Sequence, residues 1–438
     1  MEHVKRIAAA VMVMLGLCWS YARAGEVDIL LQKLVEKGVL SEGEAQQIST
    51  ETKEEARKEI IQGKNEVLPK WLQTTKFGGD LRIRYQREDQ ENAMHRERTR
   101  IRLRYGLESK PTDNLKIGAR LATGENKVNG PEQTSTNASM AKTFNGKEVW
   151  VDRAFLEYTP LDNLKLVGGK MANPFWTTDL VWDSDINPEG GALVFTPKIA
   201  GIDYFVNLAV FPLEESSSTQ DDAVMIGGQI GSALQIGKRP AKIGLAYYDF
   251  HNVANKTFGY ATASASPYNT VQGALSPNYN PGNRNTTFTS TSSGVNLNAL
   301  QYDFNVLDIQ LSYSPLDVPL LDWTLPLEFY GNFARNMSSE VKKKHSAWLG
   351  GLKLGKAKDK GTWEIGWNYR EIEQDSVICF LNDSDFLGGG VNSKGHKFNL
   401  TYAVLPNSTL GLAFLKTRQL SGTRNINDML QIDWVTKF

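Results

Sequence analysis

Arg82, Arg84, Arg98, Arg100, Arg102, Arg104, Arg120 and Arg153 are the residues of this chain best placed to do chemistry. They recur mostly at every second position, in FGGDLRIRYQ, RTRIRLRYGLE, LKIGARL and VWVDRAFLEY. On an extended chain, positions two apart share a face. The arginines therefore take one face, and Leu81, Ile83, Tyr85, Ile101, Leu103, Tyr105 and Leu107 take the other. Guanidinium stays charged at any relevant pH, and neighbouring strands lie ~4.8 Å apart, so arginines on adjacent strands stack into a ladder of like charge. That costs stability unless water or acids screen it. TDLVWDSDINPEGG supplies Asp179, Asp183, Asp185 and Glu189. A basic wall facing this acidic loop produces a field across a constriction, which orients polar solutes and penalises apolar ones. Such a site acts by fixed charge and size exclusion, and it makes or breaks no bond. The competing expectation is local pairing with Glu88, Asp89, Glu91, Glu97, Asp152 and Glu157 near the strand ends.

Other chemistry has little support. There is no G-x-S-x-G and no P-loop. His95, His251, His345 and His396 have no ligand spacing. They map to loops or strand ends, so a catalytic triad at the rim of a barrel lacks a motif. In DSDINPEG, Asp183, Asp185 and Asn187 have the spacing that opens an EF-hand loop, but Pro188 and Val194 stand where that loop needs Gly and Glu. No metal, no cofactor and no enzymatic activity are expected. Cys18 falls within the leader, which leaves Cys379 alone, with no internal disulfide.

The elements that must hold the arginines begin at Phe77, where the apolar period becomes two. KFNLTYAVL and TLGLAFL repeat the pattern near the end, and MLQIDWVTKF closes it with Leu430, Ile432, Trp434 and Phe438 on one face. Short turns (KPTDN, TPLDN, TPKIAG, GKRP, SPLDVPLLD, GKAKDKG and LPNS) alternate with longer polar loops at about 87–97, 124–147, 172–190, 212–222, 251–298, 336–345, 373–394 and 419–427. Strict alternation of short and long connections predicts an all-β fold, a transmembrane antiparallel up-and-down β-barrel with two unlike rims. The connections imply sixteen strands, with 299–313 taken as one long strand; splitting it gives eighteen. Both barrel ends then lie on the short-turn, periplasmic side. The 251–298 stretch suits an extracellular loop folding over or into the pore.

Ahead of the barrel, residues 25–70 read as a helical periplasmic segment. Leu30 and Leu34 have helical spacing up to Gly38, and Ser41 with Glu44 forms a capping box. Lys5 and Arg6, the apolar run 7–19 and Ala22-Arg23-Ala24 form a secretory signal over residues 1–24, too short for an anchor. The barrel takes 71–438. No apolar run after the signal approaches the ~20 residues of a membrane helix, and ten tryptophans suit aromatic girdles at two interfaces. A precursor of zero net charge, near −2 once the signal leaves, argues against nucleic acid.

FGGDLRIRYQRE, RIRLRYGLE, VWVDRAFLEYTP, GGKMANPFWTTDLVWDSDINPEGGA and LLQKLVEKGVLSEGEAQQI resemble the putative porin family of Gram-negative outer membranes. The resemblance covers nearly the whole mature chain. It implies a sixteen-stranded barrel in the cell outer membrane, with a water-filled pore for passive diffusion of small hydrophilic solutes or ions. The ending resembles the C-terminal recognition signal of outer-membrane proteins, which implies the barrel-assembly machinery as a partner. By analogy with trimeric porins, 172–190 folds inward to narrow the pore, and the assembly is a homotrimer. Outer-membrane lipid is expected around the barrel, and Lys342, Lys343 and Lys344 read as a solvated loop run that would meet lipopolysaccharide phosphates on the outer face. Weak anion preference is expected from the arginine wall. The alternatives are a substrate-specific channel and a structural tether acting through the N-terminal helices.

Overall fold

The computed structural model describes residues 31, 33–37, 40–41, 43–51, 54, 70–91, 94–127, 130–131, 134–141, 143–215, 222–254, 285–289, 296–320, 323–422 and 426–438. The signal segment and most of 251–298 lie outside the described residues. The chain divides into two compact units, Met1–Thr74 and Thr75–Phe438. In the first, the capping box is formed: Ser41 N–H and Oγ–H donate to Glu44 Oε2 at 2.9 and 2.8 Å, and Glu44 N–H donates to Ser41 Oγ at 3.3 Å. Two otherwise orphaned helix donors are satisfied reciprocally.

The second unit is a closed antiparallel barrel. Its strands are β1 (Lys76–Gln90), β2 (Arg96–Thr112), β3 (Leu115–Gly124), β4 (Glu148–Leu161), β5 (Leu164–Lys170), β6 (Glu189–Phe195), β7 (Ile202–Glu214) and β8 (Ala223–Ile236). They continue as β9 (Arg239–His251), β10 (Phe304–Leu320), β11 (Trp323–Asn336), β12 (Ser346–Gly355), β13 (Trp363–Ile372), β14 (Ser393–Leu405), β15 (Ser408–Gln419) and β16 (Ile426–Lys437). Each strand pairs with its sequence neighbour. β16 returns to β1 in the register Asp80↔Lys437 through Gln90↔Asn427. The backbones of Gly79 and Phe438 exchange hydrogen bonds of 2.9 and 3.1 Å beyond that ladder. Every strand thus has two partners and no edge is left open, as a sheet in lipid requires.

The expected alternation of connections is present. At one rim they are 113–114, 162–163, 196–201, 237–238, 321–322, 356–362 and 406–407. At the other they are 91–95, 125–147, 171–188, 215–222, 252–303, 337–345, 373–392 and 420–425. Two expectations need correction. The first loop is 91–95, not 87–97, because Arg87↔Glu97 and Glu88↔Arg96 carry the ladder further. The stretch 299–313 is not one strand: Leu300 pairs with Asn285 in a separate hairpin, and β10 starts at Phe304 and runs on to Leu320. The count stays at sixteen because the hairpin never joins the barrel.

The outer surface is apolar by alternation. Ile83, Leu103, Leu208, Ile230, Leu245, Ile309, Phe333, Leu400 and Leu412 are exposed, and their immediate neighbours in sequence turn inward. A belt this large on a folded surface calls for lipid rather than water. At the seam, Phe77, Tyr105 and Phe438 stack outward with ring centroids 6.3 and 6.4 Å apart.

Two of the long loops bury apolar side chains inside the barrel. In 171–188, Phe175 packs edge-on against Phe211 and Tyr248, and Trp182 against Tyr248, on the inner face of β7–β9. Val377, Ile378, Cys379 and Leu381 of 373–392 join the same core. Burying side chains of this size stabilises each by about 1.5–3 kcal/mol, which offsets part of the cost of ordering the loops. It also places their acids near the inward arginines.

Candidate functional site in the charged interior

Cross-strand register assembles the arginines. Arg82 lies opposite Arg102, Arg84 opposite Arg100, and Asp80 opposite Arg104 on β1–β2. Arg120 lies opposite Gly106 on one side and Arg153 on the other. All alternate with outward apolar residues, so they face the interior. The structure therefore brings all eight together on β1–β4. At Arg153 a β-bulge helps: between Arg120 and Leu121 the ladder skips Asp152, so Asp152 and Arg153 both reach the inside.

Most of the ladder is neutralised, mainly by acids on the adjacent strand and at Arg84 from the far end of the chain. Arg84 donates through Nε and Nη2 to the two Asp433 oxygens at 2.7 and 2.8 Å, and reaches Asp385 at 3.3 Å. Arg102 and Arg104 share Asp80, each at 2.7 Å, and both approach Asp185. The expected local pairing holds for Arg98 with Glu88 and Arg120 with Asp152. Three arginines differ. Arg82 donates to the Asn137 amide oxygen at 2.6 Å, and Arg153 to that of Asn187 at 2.6 Å. Arg100 has Gln86 and Ser135 oxygens at 3.4 and 3.5 Å and Glu125 only at 4.0 Å. Bidentate Arg–carboxylate pairs are the strong ones, so these three keep more of their field.

Of the four acids assigned to the loop, only Asp185 meets the arginines. Asp179 turns across the barrel to Lys397 on β14 at 2.8 Å. Asp183 accepts N–H bonds from Asp185 and Ser384 at 2.8 and 2.9 Å. Glu189 is the first residue of β6 and pairs with Lys170 at 2.7 Å. Asn187 is held between Arg153 and Asp152. The interior is thus a network of interleaved charges, not two opposed plates.

A second cluster escaped the sequence reading. Arg370 on β13, fully buried, bonds Asp383, donates to the Asp179 carbonyl at 2.7 Å and lies 3.9 Å over the Phe386 ring. Lys397 bridges Asp179 and Asp383 at 2.8 and 3.4 Å. This cluster ties loop 373–392 to loop 171–188. A usable signal was present: NYREI and VICFLNDSDFLG place acids beside apolar residues too greasy for a solvated loop. On β7–β11 the interior carries amides, with Gln229 donating to the Trp176 carbonyl at 2.7 Å, Asn207 to Gln229 at 3.0 Å, and Gln310 and Asn332 donating to the buried Asp308.

Burial works against the Asp383 charge, but Lys397 and Arg370 outweigh it and hold its carboxyl well below the usual range. Burial, reinforced by the Asp383 charge, pushes the Asp183 carboxyl up. A raised carboxyl stabilises the fold fully below its unfolded pKa of ~3.9 and loses that contribution as pH rises through its folded value. Asp183→Asn should therefore gain stability relative to wild type between pH 5 and pH 9, read as the difference in thermal unfolding midpoint. A pH-independent difference would mean that Asp183 ionises normally.

Comparison with known proteins agrees with this architecture. The family described as putative porin matches residues 89–438. The high-pH structure of OprB from Pseudomonas putida aligns with a TM-score of 0.53 at 12% identity, covering 86% of this chain and 96% of that one. A mutant of the Rhodopseudomonas blastica porin aligns at 0.45 and 8% identity, covering 83% and 100%. No curated protein sequence matches the chain. The likeness to OprB shows the shared barrel fold, and the family points to a channel rather than an enzyme. A closed sixteen-stranded barrel with an apolar outside and a charged inside, matched by that family over most of its length, is an outer-membrane porin channel, and this chain belongs to the putative porin family.

Proposed function

We propose that the barrel passes small hydrophilic solutes by passive diffusion, past a constriction made by inward loop 171–188 and the arginine wall, with a weak preference for anions. The observation that carries the preference is the imbalance of partners. Arg82 and Arg153 face inward on amide partners and Arg100 has its nearest carboxylate, Glu125, only at 4.0 Å, so none of the three has a carboxylate within hydrogen-bonding distance among the described residues. The acids nearby are already engaged, so the uncompensated field is positive. Low-dielectric walls focus such a field. The same reading includes export by a cleaved signal over 1–24, contact with lipopolysaccharide and a homotrimeric assembly. It also includes folding by the barrel-assembly machinery, which would recognise Leu430, Ile432, Trp434 and Phe438. In support of the last, Ile432, Trp434 and Phe438 stand exposed on the outer surface of the final strand.

The test is the single-channel conductance of the purified protein in a planar bilayer under a salt gradient. Steady ohmic steps are expected, with a reversal potential displaced toward chloride. Arg82→Gln/Arg100→Gln should move that potential toward the cation. No current from a folded barrel would sink the diffusion reading; a current indifferent to the double substitution would sink the role of the arginines.

A further inference from the structure

On the inner side of β1–β4, toward the short-turn rim, lies a recess of ≈ 320 Å³ whose lining includes Asp80, Gly106, Arg104, Arg120, Arg153 and Phe155. Two glycines make the space. At Gly106 an added Cβ would meet the Ala119 carbonyl oxygen at 2.7 Å. At Gly118, opposite Phe155 in the ladder, it would meet the Phe155 ring at 2.5 Å. The ring therefore lies down on bare backbone and forms a wall of the recess instead of filling it.

The charges of the recess do not balance. Asp80 is taken by Arg102 and Arg104, and Asp152 by Arg120 and Asn187. The other acid in the lining, Glu108, has Lys116 at 3.8 Å. Arg153 bonds Asn187 through Nε only, which leaves both of its Nη atoms without a partner among the described residues. Arg120 stands directly across the ladder from it. An unengaged guanidinium fork thus shares a small recess with an aromatic ring, and the Lys116 ammonium 5.5 Å from the ring centroid adds a further positive charge. The fork matches a planar oxyanion through two parallel bonds. The volume sits at the small end of ligand sites, which run from about 300 Å³.

We infer that this recess is a binding subsite for a small organic carboxylate, with the carboxylate on the Arg153 Nη atoms beside Arg120 and the apolar body against Phe155. Inorganic phosphate would satisfy the fork and leave the ring uncovered. A neutral aromatic alcohol would cover the ring and leave the fork empty. The inference rests on the diffusion reading for the route by which a solute arrives, but binding itself needs no current. It makes flux of such carboxylates saturable where flux of chloride is not.

The experiment is calorimetric titration of the folded full-length barrel in detergent with benzoate, inorganic phosphate and benzyl alcohol, alongside chloride current recorded with increasing benzoate. Saturable benzoate binding is expected, tighter than either comparison probe, together with saturable reduction of the current. Arg153→Gln should weaken it about ten-fold or more, the effect of one charge-assisted bidentate contact. Arg153→Lys keeps the charge and loses the fork, so it should weaken binding too, and it serves if the Gln variant does not fold. Lys198→Gln, on the exposed short-turn rim, should bind as wild type. A barrel that binds benzoate and carries no current keeps this inference and sinks the diffusion reading. A barrel that conducts but shows no saturable heat, or whose Arg153 variants bind like wild type, overturns the inference and leaves diffusion standing.

Discussion

Arg370→Ala is expected to destabilise the barrel by about 3–5 kcal/mol, the cost of stranding one partner of a buried ion pair. The Arg370 side chain is 0% exposed and that of Asp383 9%. Without the guanidinium, Asp383 retains Lys397 at 3.4 Å, and the Asp179 carbonyl loses its donor. Phe386 also loses the group stacked on it. The loss falls on the joint between the two inward loops, so the effect should reach transport as well as stability. Single-channel current should become noisy as loop 373–392 leaves its position against 171–188. Denaturant unfolding in detergent measures the first effect and bilayer recording the second. The double variant Arg370→Met/Asp383→Leu should recover part of the stability, because an apolar pair of similar volume costs less than a lone buried charge. Wild-type unfolding and a quiet current from Arg370→Ala would show that the two loops are held by their apolar core alone.

Ile230→Arg should cost about 2–4 kcal/mol, the penalty for a cation at the bilayer midplane on the lipid face of a barrel. Ile230 is 55% exposed in the middle of β8, between Val206 and Leu245 on the neighbouring strands. On a water-facing surface the same exposure would make the substitution nearly neutral. Ile236, equally exposed at the short-turn end of β8, supplies the gradient. Ile236→Arg should cost only about 0–1 kcal/mol near the interface. Urea titration of folding into lipid vesicles measures both. Equal costs at 230 and 236 would remove the lipid belt from the argument, whatever the fold.

The sixteen strands, the alternation of short and long connections, the two faces of the strands near either end of the barrel and the Ser41–Glu44 capping box were all legible in the sequence. These depend on neighbours a few residues apart: period-two alternation decides a face, Pro, Asp, Asn and Gly decide a turn, and side chains three apart close a cap. The misreading at 87–97 arose where polar residues of a projecting strand resemble those of a loop, and that at 299–313 because Pro315, Asp317 and Pro319 within β10 read as a turn. The local pairs Arg98–Glu88 and Arg120–Asp152 were legible too, but the long-range electrostatic partners were decided only by tertiary structure. Arg84 meets Asp433 across 349 positions of chain because closing the barrel sets β1 beside β16. Arg370 meets Asp383 and the Asp179 carbonyl because two loops fold inward. Phe175, Trp182, Val377 and Ile378 drive that fold, and their apolar weight was visible, but the wall they would bury against was not. Asp152 and Arg153 share the interior only because a bulge interrupts the alternation that the sequence predicts. Which side a residue faces is a local property of the chain, whereas which charge it meets depends on closure, and closure brings together segments whose sequences carry no record of one another.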